Sequence, residues 1–225
     1  MPDRVVLALD VGGSHVKMLT SEAGAESRRF DSGPDLTASE MVRGALASTA
    51  GWSYDVVSVG VPSPVRAGEI LAEPVNLGRG WVGFDFEAAF GKPTRVVNDA
   101  AMQALGSYEG GKMLFLGFGT GMGSAVVAGG IVEPMELGHL PFRKATFEDY
   151  VGERGRQRLG KKKWSAAVAE TVERLQAALE PDYVVLGGGN AKKLDELPPN
   201  ARLGANNNAF TGAFRLWDEV PAETA

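Results

Sequence analysis

The stretch LALDVGGSHVKMLT, Leu7 to Thr20, sets one acid, two glycines, a serine, a histidine and a lysine between two apolar runs. A second stretch, LFLGFGTGMGSAVV from Leu114, repeats the plan at an offset of 107 residues. Each reads as an apolar strand, a small-residue turn and a second apolar strand. Asp10 then lies opposite Gly117, Gly12 opposite Gly119, and Ser14 opposite Gly121. A repeat near half the length of a 225-residue chain predicts two lobes, each opening on a glycine-turned hairpin.

The chain is 44% hydrophobic and 23% charged, ordinary values for a globular protein with a sizeable core. Glycine is the anomaly. Its 30 residues are about twice the usual share, gathered in short turns where backbone can stand close to a ligand. A net charge of −5 argues against a dedicated nucleic-acid binder. With no cysteine there is no disulfide framework, thiol nucleophile or thiolate metal site. Asp3 and Arg4 precede only a short apolar run, which predicts no secretory leader. No run approaches the ~18 apolar residues of a membrane span. The expectation is a cytoplasmic protein with no membrane and no nucleic acid among its partners.

Between the hairpins, VVSVGVPSP (56–64) reads as an extended segment ended by its prolines, and FDFEAAFG (84–91) as a short helix stopping at Gly91. TRVVNDAAMQALGSYEGG (94–111) predicts a strand to Val97, a polar turn at Asn98 and Asp99, and a helix ending near Gly110. Farther on, WSAAVAETVERLQAALE (164–180) carries Val168, Val172, Leu175 and Leu179 at helical spacing. YVVLGGGN (183–190) reads as a buried strand whose glycines lead into AKKLDEL, and AFTGAFRLW (209–217) as a final helix. Alternating strands and helices make the class α/β.

Four motifs carry chemistry. Asp10-Val11-Gly12-Gly13-Ser14 is either a plain hairpin turn or a loop that points N–H groups at an anion. In the second case Ser14 and Lys17 add donors, and Asp10 can hold a hydrated magnesium ion. Gly117 to Gly123 contains a GxGxxG-like pattern, but a dinucleotide fold needs a helix after it. The β-branched SAVVAGG follows instead, so a phosphate-binding hairpin or a flexible turn fits better. Asn98-Asp99, where a strand meets a helix, is a simple N-cap or the seat of a catalytic carboxylate. Glu136-Leu137-Gly138-His139 offers a carboxylate and an imidazole suited to sugar hydroxyls, with a structural histidine as the alternative. No zinc is expected, since cysteine is absent and His15 is the only other histidine.

In this order the motifs resemble the ROK family of sugar kinases and sugar-responsive repressors, over most of the chain. LALDVGGSHVK (7–17) is similar to the family's first phosphate loop, and VNDAAMQALG (97–106) to its catalytic segment. LGFGTGMGSAVVAGG (116–130) is similar to the second phosphate loop, ELGH (136–139) to the sugar-binding motif, and VVLGGGNAKK (184–193) to the nucleotide-side strand and glycines. Within the family the likeness is greatest to polyphosphate glucokinases, in VNLGRGWVGFD (75–85), MELGHL (135–140), LGGGNAKKLDEL (186–197) and ANNNAFTGAF (205–214). The repressors place a DNA-binding domain before the first phosphate loop; nine residues precede Asp10 here, so that role is not expected.

The resemblance implies the duplicated ribonuclease-H-like fold of hexokinases and actin, with an active cleft between lobes at residues 1–98 and 99–225. The final helix is expected to pack back on the first lobe. It implies transfer of a phosphoryl group from ATP or polyphosphate to a hexose, glucose first among them, with magnesium. Mannose, fructose or an N-acetyl sugar as acceptor, or a non-catalytic sugar sensor, are the alternatives, and a homodimer is the family expectation. Asp99 is implied as general base. Asn98, Glu136, His139, Glu148, Asn76 and Ser63 are implied at the sugar, Ser63 standing where the family usually has glycine. Asp10, Gly12, Gly13, Ser14, Lys17, Gly119, Thr120 and Gly121 are implied at the donor phosphates and magnesium, and Gly187, Gly188 and Gly189 near the adenosine end. From Arg143 to Lys163, eight basic residues stand against three acidic ones (Glu148, Asp149, Glu153), either a solvated face or a segment that steers a polyanion.

Overall fold

Val6–Val11 is buried along nearly its whole length, as a strand covered on both faces must be. In the computed structural model, which describes residues 4–205 and 207–218, this strand (β1) is the centre of the first of two five-stranded sheets. Asp3 and Asn206 lie outside the described residues. By packing, one compact unit takes the chain up to Gly106 and again from Ala209, and the other takes Ser107–Asn208.

In the first unit β1 turns into antiparallel β2 (His15–Thr20), and β2 into β3 (Arg28–Asp31). On the other side of β1 lie two parallel strands, β4 (Val56–Val61) and, past the small hairpin β5 (Val65–Arg66) and β6 (Glu69–Ile70), β7 (Thr94–Asn98). Alternate side chains of β1 go to separate layers. Leu7, Leu9 and Val11 pack with α1 (Ala38–Ser48) and α2 (Phe86–Phe90), whereas Ala8 packs with Met102 of α3 (Asp99–Ser107). Helix α1 carries its own start signal, the Thr37–Glu40 capping box, followed by buried Ala38, Met41, Val42 and Ala45 on one stripe.

The second unit repeats this plan. Central β8 (Lys112–Phe118) turns into antiparallel β9 (Met122–Ala128), which pairs with β10 (Ile131–Met135). After the short hairpin β11 (Pro141–Phe142) and β12 (Ala145–Thr146) come α4 (Phe147–Val151) and α5 (Glu153–Leu179). Parallel β13 (Tyr183–Gly187) and β14 (Ala201–Leu203) complete the sheet. The orders β3-β2-β1-β4-β7 and β10-β9-β8-β13-β14 are the same topology twice, which is the duplicated fold that the resemblance implied. Helix α5 begins well before Trp164, where the apolar spacing starts. Its first turns are charged, and Gly160, with φ 71°, breaks it.

The last helix, α6 (Asn208–Arg215), belongs with the first unit from Ala209 on. Ala209, Phe210 and Ala213 pack with Met102 and Ala8. The Ser58 hydroxyl donates to the Ala213 carbonyl at 2.7 Å and accepts from Trp217 Nε1 at 2.8 Å. Gly212 lets α6 touch the α3 backbone: a Cβ there would collide with the Met102 carbonyl. Gly212→Ala should therefore lower the unfolding free energy by about 1–3 kcal/mol. Urea denaturation measures this, and an unchanged midpoint would show that the two helices separate freely.

Candidate active site

Two glycine hairpins have the same inner chemistry. In the first, Gly12 N–H closes the turn on the His15 carbonyl at 3.0 Å; in the second, Gly119 N–H closes on the Gly121 carbonyl at 3.1 Å. Among the described residues, the N–H groups of Gly13 and Ser14, and those of Thr120 and Gly121, find no acceptor. A tight turn with adjacent unclaimed N–H groups is an anion-binding nest. The Ser32 hydroxyl donates to the Gly12 carbonyl at 2.5 Å and Ser32 N–H to the Ser14 carbonyl at 3.0 Å, so the first turn is pinned from β3.

Beside the first hairpin, register sets Asp10 opposite Lys17, with Lys17 Nζ 3.7 Å from the carboxylate. Burial pushes the Asp10 carboxyl above the usual carboxylate range, and Lys17 opposes the shift without cancelling it. Asn76 lies against this loop, its Cβ 3.2 Å from where a Cβ of Gly13 would stand. His15 faces Asp31 at 3.5 Å. Among the described residues, no group of three or more histidine, aspartate or glutamate side chains could hold a metal ion. As a general matter, magnesium takes one or two carboxylates, keeps several waters and draws the rest of its shell from phosphates.

Asn98 and Asp99 occupy the junction of β7 and α3. The Asn98 carboxamide accepts from Ala100 N–H at 2.9 Å and Ala101 N–H at 3.2 Å, and donates to the Ser63 carbonyl at 3.1 Å. Asn98 is thus the helix cap and a brace to the loop after β4. Asp99 begins the helix and accepts from Ala100 N–H at 2.8 Å. The Ser63 hydroxyl is buried and donates to the Ala72 carbonyl at 2.5 Å.

In the second unit the structure brings together Glu136, His139, Glu148 and the second hairpin. His139 Nδ1 is 3.9 Å from Glu136 and Nε2 is 3.9 Å from Glu148, all three side chains open to water. A Cβ at Gly121 would stand 2.5 Å from Glu148 Oε2, so the carboxylate–imidazole–carboxylate group abuts the hairpin tip. Such a group both donates to and accepts from hydroxyls.

The glycines after β13 serve the same hairpin. Gly188 has φ 79°, and a Cβ there would collide with the Phe118 carbonyl. This close passage delivers Asn190, whose N–H donates to the Phe118 carbonyl at 3.0 Å and whose side chain donates to the Gly119 carbonyl at 3.1 Å. Glu153 N–H, opening α5, reaches the Gly119 and Thr120 carbonyls at 2.9 and 3.2 Å. Sequence reading singled out neither Asn190 nor Glu153; the glycine before each, Gly189 and Gly152, was the available signal. Within the basic segment Arg143 pairs with Glu170, Arg156 with Glu153 and Lys161 with Asp195, the first and last partners lying outside the segment. No helix among the described residues is long and apolar enough to cross a membrane.

No family model matches the chain. It is 26% identical over 212 residues to a polyphosphate glucokinase of Mycobacterium tuberculosis (strain CDC 1551 / Oshkosh), covering 86% of this chain and 76% of that one. Among solved structures it shares the fold of the inorganic polyphosphate/ATP-glucomannokinase of Arthrobacter sp. strain KM, with a TM-score of 0.74 and 22% identity over 94% of this chain and 97% of that one. A ROK family glucokinase from Streptomyces griseus, solved with glucose and AMPPNP, gives 0.73 at 16% identity over 94% and 98%. The resemblance to ROK sugar kinases, polyphosphate glucokinases among them, therefore holds in sequence and in fold.

The raised Asp10 carboxyl makes a testable statement about stability. The folded chain holds that proton more tightly than the unfolded chain, so ionising Asp10 costs stability as pH rises through the carboxylate range. Asp10→Asn is expected to unfold at higher denaturant than the parent at pH 7. That advantage should vanish below about pH 4, where both states are protonated. A variant no more stable at pH 7 would show that Lys17 offsets the burial completely.

Proposed function

We propose that this protein is a hexose kinase that transfers the terminal phosphoryl group of polyphosphate or ATP to a sugar hydroxyl, glucose to glucose 6-phosphate first among the candidates. The observation that carries the reading is the Glu136–His139–Glu148 group beside the unclaimed N–H groups of the second hairpin. Hydroxyl-binding and phosphate-binding chemistry stand side by side in one unit. The likeness to polyphosphate glucokinases supports the same reading.

Phosphoryl transfer asks mainly for positioning and charge neutralisation. In this reading the Gly12–Ser14 and Gly119–Gly121 turns and Lys17 hold the donor phosphates, while Glu136, His139 and Glu148 hold sugar hydroxyls. Ser63 acts through the loop it braces, and Asn76 stands beside Gly13 of the first hairpin. Asp99 takes the hydroxyl proton as the sugar oxygen bonds to phosphorus and the donor's bridging P–O bond breaks. Asn98, capping α3 and tied to Ser63, keeps Asp99 at the helix start. Asp10 would hold magnesium through water, an ion that supplies charge neutralisation on the phosphates.

A coupled assay crossing several hexoses with ATP and polyphosphate, with and without magnesium, tests the activity. No product from any pair would replace it with a sugar sensor of the same fold. Asp99→Asn is expected to lower kcat by roughly 10²–10⁴-fold with sugar affinity largely kept. Near-normal turnover would remove Asp99 from the mechanism.

A further inference from the structure

Behind the second hairpin lies a charged cluster that the proposed reaction does not use. The Glu153 carboxylate accepts from Arg156 Nε at 2.9 Å and its terminal nitrogen at 2.6 Å, a two-point fork, and from Gln157 at 2.8 Å. Lys193 Nζ stands 3.8 Å from the same carboxylate and donates to Asn190 Oδ1 at 2.7 Å. Asn190 in turn holds the Gly119 carbonyl. The Lys193 ammonium is therefore two hydrogen bonds from the hairpin backbone. Glu153, Arg156 and Lys193 side chains are 32%, 29% and 46% exposed, so water and a competing anion can reach them. The Arg156 and Gln157 hydrogen bonds hold the Glu153 carboxyl down to about 2, so it remains an anion at any ordinary pH.

A guanidinium fork takes a carboxylate and a phosphate by the same two-point geometry. One carboxylate here answers two cations, which leaves the cluster net positive. We propose that Arg156 and Lys193 form an anion subsite beside the second hairpin, filled by the chain's own Glu153 until the distal phosphates of a polyphosphate displace it. The proposal rests on the reading that this hairpin carries donor phosphates. A nucleoside triphosphate ends in a neutral base, whereas a polyphosphate continues as an anion past the hairpin. The subsite therefore rewards chain length.

The test is calorimetric titration of the whole chain, without sugar, using tripolyphosphate, ATP and a long-chain sodium polyphosphate at fixed ionic strength. Arg156→Gln and Lys193→Gln are each expected to weaken the long chain by about tenfold and tripolyphosphate and ATP much less. Glu153→Gln, which removes the competing carboxylate but keeps the backbone N–H on the hairpin, is expected to tighten the long chain severalfold. This opposite sign is the decisive feature. If all three variants weaken every anion alike, the cluster only props the hairpin and the proposal is overturned. It is overturned equally if none of them changes long-chain binding. Arg156→Lys, which keeps the charge without the fork, should fall between parent and Arg156→Gln; affinity at or below that of Arg156→Gln would contradict the subsite. Absence of turnover in the parent would remove the kinase reading, and these titrations would still decide the subsite.

Discussion

The second unit's site depends on two carbonyls, those of Gly119 and Thr120, being claimed from behind. A turn that offers free N–H groups to an anion must be rigid without spending those groups on itself. Its carbonyls are what remains to anchor it. Here Glu153 N–H and the Asn190 carboxamide take that role. Asn190 is buried, and a buried carboxamide is stable only when its donors and acceptors are met. Gly119 and Lys193 meet them. The glycine-rich turn after β13 is thus explained by geometry: only a residue without Cβ passes the Phe118 carbonyl closely enough to bring Asn190 into reach.

The first unit solves the same problem with different parts. Its hairpin is also pinned through carbonyls, Gly12 and Ser14, but from Ser32 at the end of β3, on the opposite side of the sheet order from β13's counterpart. The duplication is exact in topology and loose in residues. A second brace, Asn98, ties Ser63 to the start of α3 and leaves Asp99 as the first residue of that helix. The Ser63 hydroxyl turns inward to the Ala72 carbonyl. Its effect on a substrate would therefore come through the loop's shape.

Features with local causes were legible in the sequence. Both hairpins, the strands through Val57 and Val185 and the apolar stripe of α5 follow from spacing alone, whereas the doubled topology came from the resemblance, the repeat pointing only to two hairpin-led lobes. Helix α1, absent from the sequence expectations, has equally local causes in its capping box and its Met41, Val42 and Ala45 stripe. The first turns of α5 offered no apolar period to read, only charge and two glycines, Gly155 and Gly160. The grouping of Glu136, His139 and Glu148 came from resemblance. Nothing in local spacing links Glu148 to Gly121. The Glu153, Arg156 and Lys193 cluster was beyond reach for a stronger reason. It exists only because β13 lies parallel to β8, a pairing between residues about seventy apart (Leu186 with Leu116).

Charge placement completes the physical account. A protein of net charge −5 can serve a polyanion only if its cations are set locally and its nearby acids have a purpose. Glu153 pairs with Arg156 and Lys193 at little desolvation cost because the cluster is open to water, and on the proposal above a phosphate displaces it. Asp10 is the reverse case. It is half-buried, its carboxyl raised, with a single lysine at 3.7 Å as partial compensation. A carboxylate so placed opposes folding at neutral pH and gains most when a divalent cation arrives with the donor. On the proposed reading, the free-energy cost of Asp10 in the empty fold returns as affinity for the metal–phosphate complex. Ligand binding and stability of the first unit are then linked through one carboxylate.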